Sequence, residues 1–386
     1  MTVSLDPTSR GGRHAIVTAR PVLRRTIVGG LIVTGFLVAG LVVAAYFGAT
    51  FGIQAALVSL LVAILPVLVV VPTFMWLDRY EAEPTAYLVM AFLWGALVAT
   101  IVSATINTSA MVVLQANASN DDALVTTAVF VAPVIEEAAK GVFVLCVWWF
   151  LRSEFDGVID GMVYGGITAA GFAFTENIQY FAQAWLDGGG EAFTATFIGR
   201  GIMSPFAHPI FTVMTGIGIG VAAMSRSWIV RLTAPVLGYG LAVLSHSLWN
   251  LAAVSGGSGM GAVYLLVEFP IFLAWLGLIV WARSREGRLI GIFLRPYADA
   301  GWLSPAEVQM LSSMGRRREA RRWAKFNGGP RALKSMEAFQ DTASELALLR
   351  RRMTLTPPSA KNQVAERQLL ENLVVDRQVF AGAGLR

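Results

Sequence analysis

Ala132-Pro133-Val134-Ile135-Glu136-Glu137-Ala138-Ala139-Lys140-Gly141 places two adjacent carboxylates and an amine inside an apolar run from Val125 to Leu151. At about 1.5 Å per residue, such a run crosses the ~30 Å hydrocarbon core of a bilayer as one helix. A charged side chain at that depth costs roughly 2.5–3.5 kcal/mol on insertion scales. Three charges so close together are a large cost for packing alone. The stretch therefore reads as a membrane helix whose polar face turns into a helical bundle and carries a functional site.

The rest of the composition agrees. Of 386 residues, 55% are hydrophobic and 14% charged, and the mean hydropathy is +0.61. Soluble domains carry about 25% charged residues, so an ordinary soluble domain is excluded. The expected fold is all-α: a polytopic membrane bundle with a cytoplasmic helical tail. Eight apolar segments are predicted to span, at about 26–47, 53–76, 85–114, 125–151, 158–185, 199–224, 232–254 and 260–282. They divide the chain into a cytoplasmic arm (1–25), a transmembrane domain (26–282) and a basic cytoplasmic tail (283–386). The first apolar run follows Arg10, Arg13, Arg20, Arg24 and Arg25 and is too long for the core of a cleavable signal peptide. It is expected to be a retained helix.

Charge placement sets the orientation. An even number of spans puts both termini on one side. The N-terminal arginines and the tail from Arg283, Arg285 and Arg288 onward would then share the cytoplasm with Arg79, Arg152, Arg226 and Arg231. The opposite connections, near 48–52, 115–124, 186–198 and 255–259, hold no Lys or Arg. Arg200 is the nearest exception. The net charge of +5 is thus explained by topology, and no nucleic-acid partner is expected. Cys146 is the single cysteine, which excludes an intrachain disulfide, and it is expected to be buried as packing. Gly157, Gly161 and Gly165, and then Gly216 and Gly220, recur at four-residue spacing that suits close helix contact. Asp156 and Asp160 fit a helix start. In the tail, Ser304-Pro305-Ala306-Glu307 is a capping box, Leu333 to Met353 has helical periodicity, and Pro357-Pro358 breaks it. Short helices are expected there, with Arg316, Arg317, Arg318, Arg321 and Arg322 able to meet anionic lipid.

Four predicted helices carry unusual polar groups: Glu136, Glu137 and Lys140; Glu176 and Asn177; His208 with Thr212; and His246 with Asn250. Of the three histidines only His14 lies elsewhere. From the helix rise, Glu137 sits about 18 Å below the outer end of its helix, Glu176 and His208 about 13 Å, and His246 about 12 Å. All four are expected to meet in one cavity in the outer half of the membrane. Lys140 is placed to neutralise one carboxylate at i,i+3 or i,i+4 while the other faces the cavity. A buried carboxylate can act as general base on water, and a histidine opposite can stabilise an oxyanion, with Asn177 and Asn250 as amide donors. These are the parts for peptide hydrolysis. Glu137 is the expected base, with Glu136 and Lys140 as a supporting pair. The residues leave metal dependence open: Glu176, His208 and His246 form a set suited to a divalent metal such as zinc, with Glu137 acting on bound water. A buried Glu/Lys/His network also suits a proton-coupled transporter or a non-catalytic membrane scaffold. The expected sign of a transporter, inverted repeats with broken helices, is not seen in the sequence.

At these residues the sequence resembles the PrsW family of intramembrane proteases, relatives of the CAAX-processing and bacteriocin-processing membrane proteases. The resemblance spans Asp78 to Ala282. It rests on Glu136-Glu137-x-x-Lys140, Phe172-x-x-x-Glu176-Asn177, His208 and His246-x-x-x-Asn250, with Asp78-Arg79-Tyr80-Glu81 and Phe155 to Gly165 in support. It implies a protease in a bacterial plasma membrane with glutamates and histidines in its site. It also implies a membrane-protein substrate, such as an anti-sigma factor cut on its extracytoplasmic side. Lys140 and Glu176 stand where the CAAX branch has arginine and histidine, which argues against prenyl-protein processing.

Overall fold

The structure, a computed structural model, describes residues 19–77, 79–80, 83–151, 155, 157–256, 261–262, 264–355 and 359–382. His14, Asp78, Glu81, Arg152, Asp156 and Pro357-Pro358, singled out in the sequence, lie outside the described residues, as does most of the connection at 255–259. Among the described residues every regular element is helical. Helix α1 (Ala19–Phe51) meets α2 (Ile53–Leu77) at Gly52, whose φ of 79° favours glycine. Helix α3 (Thr85–Leu93) continues through a π-type turn (Trp94–Ala99) into α4 (Thr100–Gln115). Then come α5 (Asn120–Thr126), a second π-type turn (Thr127–Val131) and α6 (Ala132–Phe150). Helix α7 (Val158–Phe197) is interrupted at Gly188 and Gly189, and a third π-type turn (Ile198–Met203) leads to α8 (Ala207–Met224). Helix α9 (Trp228–Ser255) ends before Gly256, and α10 (Phe269–Asp299) follows a π-type turn (Tyr264–Glu268). The C-terminal region adds α11 (Pro305–Leu311), α12 (Met314–Leu355) and α13 (Ala360–Gly382).

Among the described residues six helical stretches are long and apolar enough to cross a membrane: Ile27–Phe51, Ile53–Leu77, Thr85–Gln115, Val158–Met224, Trp228–Ser255 and Tyr264–Asp299. The fourth runs 67 residues, far beyond the ~20 that a bilayer needs. It folds back on itself. An ideal Cβ on Gly161 would lie 2.0 Å from the Gly216 carbonyl oxygen, and one on Gly216 would lie 1.9 Å from that of Gly161. Gly220 meets Gly157 and Gly165 meets Thr212 in the same way. Partners that rise in number on α7 as they fall on α8 define an antiparallel pair in backbone contact, and the glycine spacing read in the sequence is its cause. Helix α6 has 19 residues but carries three charges, Glu136, Glu137 and Lys140.

Helix α7 is the central element. From Asp160 to Phe172 it is buried without interruption. On the side away from α8, Gly171 approaches the Phe92 carbonyl oxygen so closely that an added Cβ would sit 2.0 Å from it. The main core gathers Phe74, Phe143, Val144, Tyr164, Ile167, Val213 and Trp275 around this helix.

One expectation needs correcting. Cys146 is exposed on the outward side of α6 rather than buried, because the inward stripe is taken by Phe143, Val144 and Val147. The tail is a set of separate helices, the first of them, α11, seven residues long. The stretch labelled α12 is two helices joined at Gly329 (φ 68°) before Pro330, and α13 spans 23 residues. The two halves of α12 fold together, with Arg317 donating to Ser344 Oγ at 2.6 Å and Gln340 to the Arg317 carbonyl at 3.1 Å. The capping box at Ser304 forms as expected, with Ser304 N donating to Glu307 at 2.7 Å. Ile290, Leu294, Leu311, Phe339, Leu346 and Leu373 give this region a core of its own, which Tyr80 joins from the α2–α3 connection.

Candidate functional site

The local sequence around Pro133 positions α6. In a π-type turn the Ala128 carbonyl looks five residues ahead for an N–H, and residue 133 is a proline without one. Asn250 Nδ2 of α9 donates to that carbonyl at 2.8 Å. This bond fixes α9 to the entrance of α6, one turn away from His246. Asn250 is therefore a tie between elements and not part of the polar centre.

Glu137 and Lys140 are completely buried. Lys140 Nζ donates to Glu137 Oε1 at 2.6 Å, and Thr212 Oγ1 of α8 donates to Glu137 Oε2 at 2.7 Å. His246 Nδ1 of α9 lies 3.0 Å from Glu137 Oε1. Both oxygens of Glu137 are thus engaged. Glu136 accepts from Asn107 Nδ2 of α4 at 3.1 Å through Oε1, while its Oε2 is buried with no hydrogen-bond partner. His246 Nε2 is 3.7 Å from that oxygen. His208 of α8 lies between the two halves: Nε2 is 2.8 Å from Glu176 Oε2 and Nδ1 is 3.4 Å from Lys140 Nζ. The two imidazole rings stand 4.9 Å apart at 88°. Phe172 walls the site, with Lys140 Nζ 4.2 Å from its ring centroid, and Phe211 stacks on His246 at 5.2 Å.

The convergence expected of Glu136, Glu137, Lys140, Glu176, His208 and His246 is present, and the partition among them differs from the reading of the sequence. Lys140 pairs with Glu137 and leaves Glu136 with the vacant oxygen, whereas Glu137 was expected to be the free base. The donor atoms that cluster within 4.8 Å come from Glu136, His208 and His246, where the sequence suggested Glu176 with the two histidines. Glu176 instead backs His208 and shares the same oxygen with Arg200, whose Nη2 is 2.5 Å from Glu176 Oε2. Asn177 is held by the same guanidinium, accepting from Nε at 2.8 Å. Arg200 and Asn107 were missed as site residues. The signal for Arg200 was its position as a lone basic residue beside connections that hold no other Lys or Arg. Asn107 gave none, since a single amide in the run Ile106-Asn107-Thr108-Ser109 has many possible partners.

A polytopic helical protein with two carboxylates, two imidazoles and an ammonium packed in its interior belongs to the class of integral membrane proteins with a buried polar centre. Comparison with known proteins narrows the class. The profile described as PrsW family intramembrane metalloprotease matches residues 83–275, so the chain belongs to that family. Protease PrsW of Geobacillus kaustophilus is 30% identical over 145 residues, covering 38% of this chain and 58% of the relative. Protease PrsW of Bacillus subtilis is 27% identical over 160 residues, covering 41% and 66%. That of Oceanobacillus iheyensis is 25% identical over 220 residues, covering 56% and 92%. The chain thus spans less than two thirds of the length of the first two relatives. No solved structure matches it.

Proposed function

We propose that this protein is an intramembrane endopeptidase that hydrolyses a peptide bond of a membrane-protein substrate. One observation carries the reading: the buried Glu136 Oε2 has no hydrogen bond and faces two histidines, each held in turn by another carboxylate. A buried carboxylate oxygen left bare is costly unless a ligand or a reacting proton completes it. Family membership supports the same conclusion.

The donor set also fits a divalent metal such as zinc. Glu136 and one nitrogen of each histidine would hold it, as Glu/His/His sets do in catalytic sites. The metal, when bound, supplies Lewis-acid polarisation of the scissile carbonyl and an activated water. The chain's residues do the rest. Glu137, fastened by Lys140 and Thr212, takes the Nδ1 hydrogen of His246 and turns its Nε2 lone pair toward the centre. Lys140 sets a positive charge beside the position where oxyanion charge develops. Water attacks the carbonyl carbon, its proton passes to a carboxylate of the centre, and the same proton reaches the departing amine as the C–N bond breaks.

The substrate class that suits this depth is a single-span membrane protein, of the anti-sigma-factor kind, cut in the outer half of a bacterial plasma membrane. The topology that goes with it has eight spans. The 67-residue stretch counts as two because it folds back, and α6 counts as one because its three charges face inward. Both termini and the C-terminal helical region then lie in the cytoplasm, with the exposed arginines of α12 available to anionic lipid. A chelator tests the metal part. Turnover should fall to background on chelation and return on adding zinc. Full turnover in metal-stripped protein would overturn the metal reading while leaving hydrolysis standing.

A further inference from the structure

We propose that Arg200 is a positioning residue that acts through Glu176 to hold the ring of His208 in one tautomer; its effect on turnover rests on the hydrolytic reading above. Three contacts fix the guanidinium. Nη2 lies 2.5 Å from Glu176 Oε2, Nε donates to Asn177 Oδ1 at 2.8 Å, and the guanidinium carbon stands 3.9 Å over the Tyr180 ring. A planar fork with an aromatic beneath it has one position, which a lysine would not reproduce in full. Glu176 Oε2 also receives His208 Nε2 at 2.8 Å. A carboxylate only accepts, so Nε2 carries the hydrogen. Nδ1 keeps its lone pair, and Lys140, which only donates, faces it at 3.4 Å.

His246 repeats the pattern in mirror fashion. Its Nδ1 hydrogen goes to Glu137, and Glu137 is backed by Lys140 and Thr212. Each histidine thus has a carboxylate behind it, and each carboxylate has a cation behind it. Outer partners of this kind fix ring orientation, and their loss costs about 10–100-fold in activity or metal affinity. The two supports differ in exposure. Glu137 and Lys140 are wholly buried, whereas the side chains of Arg200 and Glu176 are 20% and 18% exposed. Without the guanidinium, Glu176 can turn to water and release His208. The arginine that stands out against the charge pattern of the outer connections is therefore folded inward as part of the centre.

The chain has only three histidines, so ring-nitrogen NMR of 15N-histidine-labelled, metal-free full-length protein in lipid vesicles resolves them. The wild type should show His208 protonated at Nε2 and His246 at Nδ1. Arg200→Met and Glu176→Gln should each convert His208 to a tautomer mixture while His246 stays put, and Arg200→Lys should keep most of the wild-type signal. In a single-span reporter assay, Arg200→Met should lower kcat about 10–100-fold with KM within about twofold, and should add nothing further in a Glu176→Gln background. A His208 tautomer unchanged in Arg200→Met, with His246 intact as a marker of folding, overturns the proposal. So do losses that multiply in the double variant. A wild type with the expected tautomers that cleaves no reporter would instead count against the hydrolytic reading and leave the positioning role standing.

Discussion

Glu136 and Glu137 are neighbours in sequence and opposites in environment. Glu137 has both oxygens engaged by donors, while Glu136 has one oxygen with none. Their substitutions should therefore fail in different ways. Glu136→Gln keeps the shape and the bond from Asn107 but removes the charge, so activity should fall at least ~10²–10⁴-fold, the range of general acid–base catalysis, with the melting temperature nearly unchanged. Glu137→Gln leaves Lys140 buried without its counter-ion, which costs roughly 3–5 kcal/mol when one partner of a buried pair is removed. Thermal unfolding should show that loss for Glu137→Gln and not for Glu136→Gln. The reverse pattern would exchange the roles assigned to the two glutamates. Which residues met was legible in the sequence, because charged groups in apolar helices have few places to go. Which oxygen stayed bare was not, because adjacent positions 100° apart on a helix both reach a cavity, and the choice depends on Thr212, Asn107 and His246 from three other helices.

At the scale of elements, the contact between α7 and α8 holds Glu176 opposite His208. It has no room for side chains at Gly161 and Gly216, where an added Cβ meets backbone rather than a movable group. Gly161→Ala should lower stability by about 1–3 kcal/mol, as overpacking does, and activity should fall with it. Gly240, with nothing near its Cβ position, serves as the control, and Gly240→Ala should be neutral in both assays. Asn250→Leu should leave the Ala128 carbonyl unpaired at a cost of about 1–3 kcal/mol. Because Asn250 ties helices and does not touch the centre, its turnover per folded molecule should persist. Helix positions and the glycine contacts follow from apolar runs and small-residue spacing. The π-type turns do not, since local composition there is that of any membrane helix and the wider turn answers to tertiary partners such as Asn250.

Across the whole molecule, the C-terminal region is docked rather than trailing. Tyr80 Oη donates to the Ser312 carbonyl at 3.2 Å, and the Arg317 guanidinium lies 4.9 Å from the Tyr80 ring centroid. Arg226 donates to the Thr354 carbonyl at 3.0 Å. Burial lowers the Arg317 guanidinium to about 10, still far enough above neutrality to keep it charged. Tyr80→Ala should loosen this docking and be read as faster proteolysis of the C-terminal helices in intact vesicles. Helical periodicity in the tail was legible in the sequence, but its docking was not, because the contacts join residues more than a hundred positions apart. The proposed topology has its own test. In a Cys146→Ser background, Asn117→Cys should react with an impermeant maleimide from outside intact cells, and Ser225→Cys only after permeabilisation.

The most direct test of the account is cleavage of a single-span reporter by the purified full-length protein in lipid vesicles, with the severed bond mapped by mass spectrometry. The account predicts one principal cut, within the outer half of the reporter's membrane segment, made by the wild type and lost in Glu136→Gln. Cleavage that survives Glu136→Gln, or no cleavage by wild-type protein across a broad panel of single-span reporters, would contradict it.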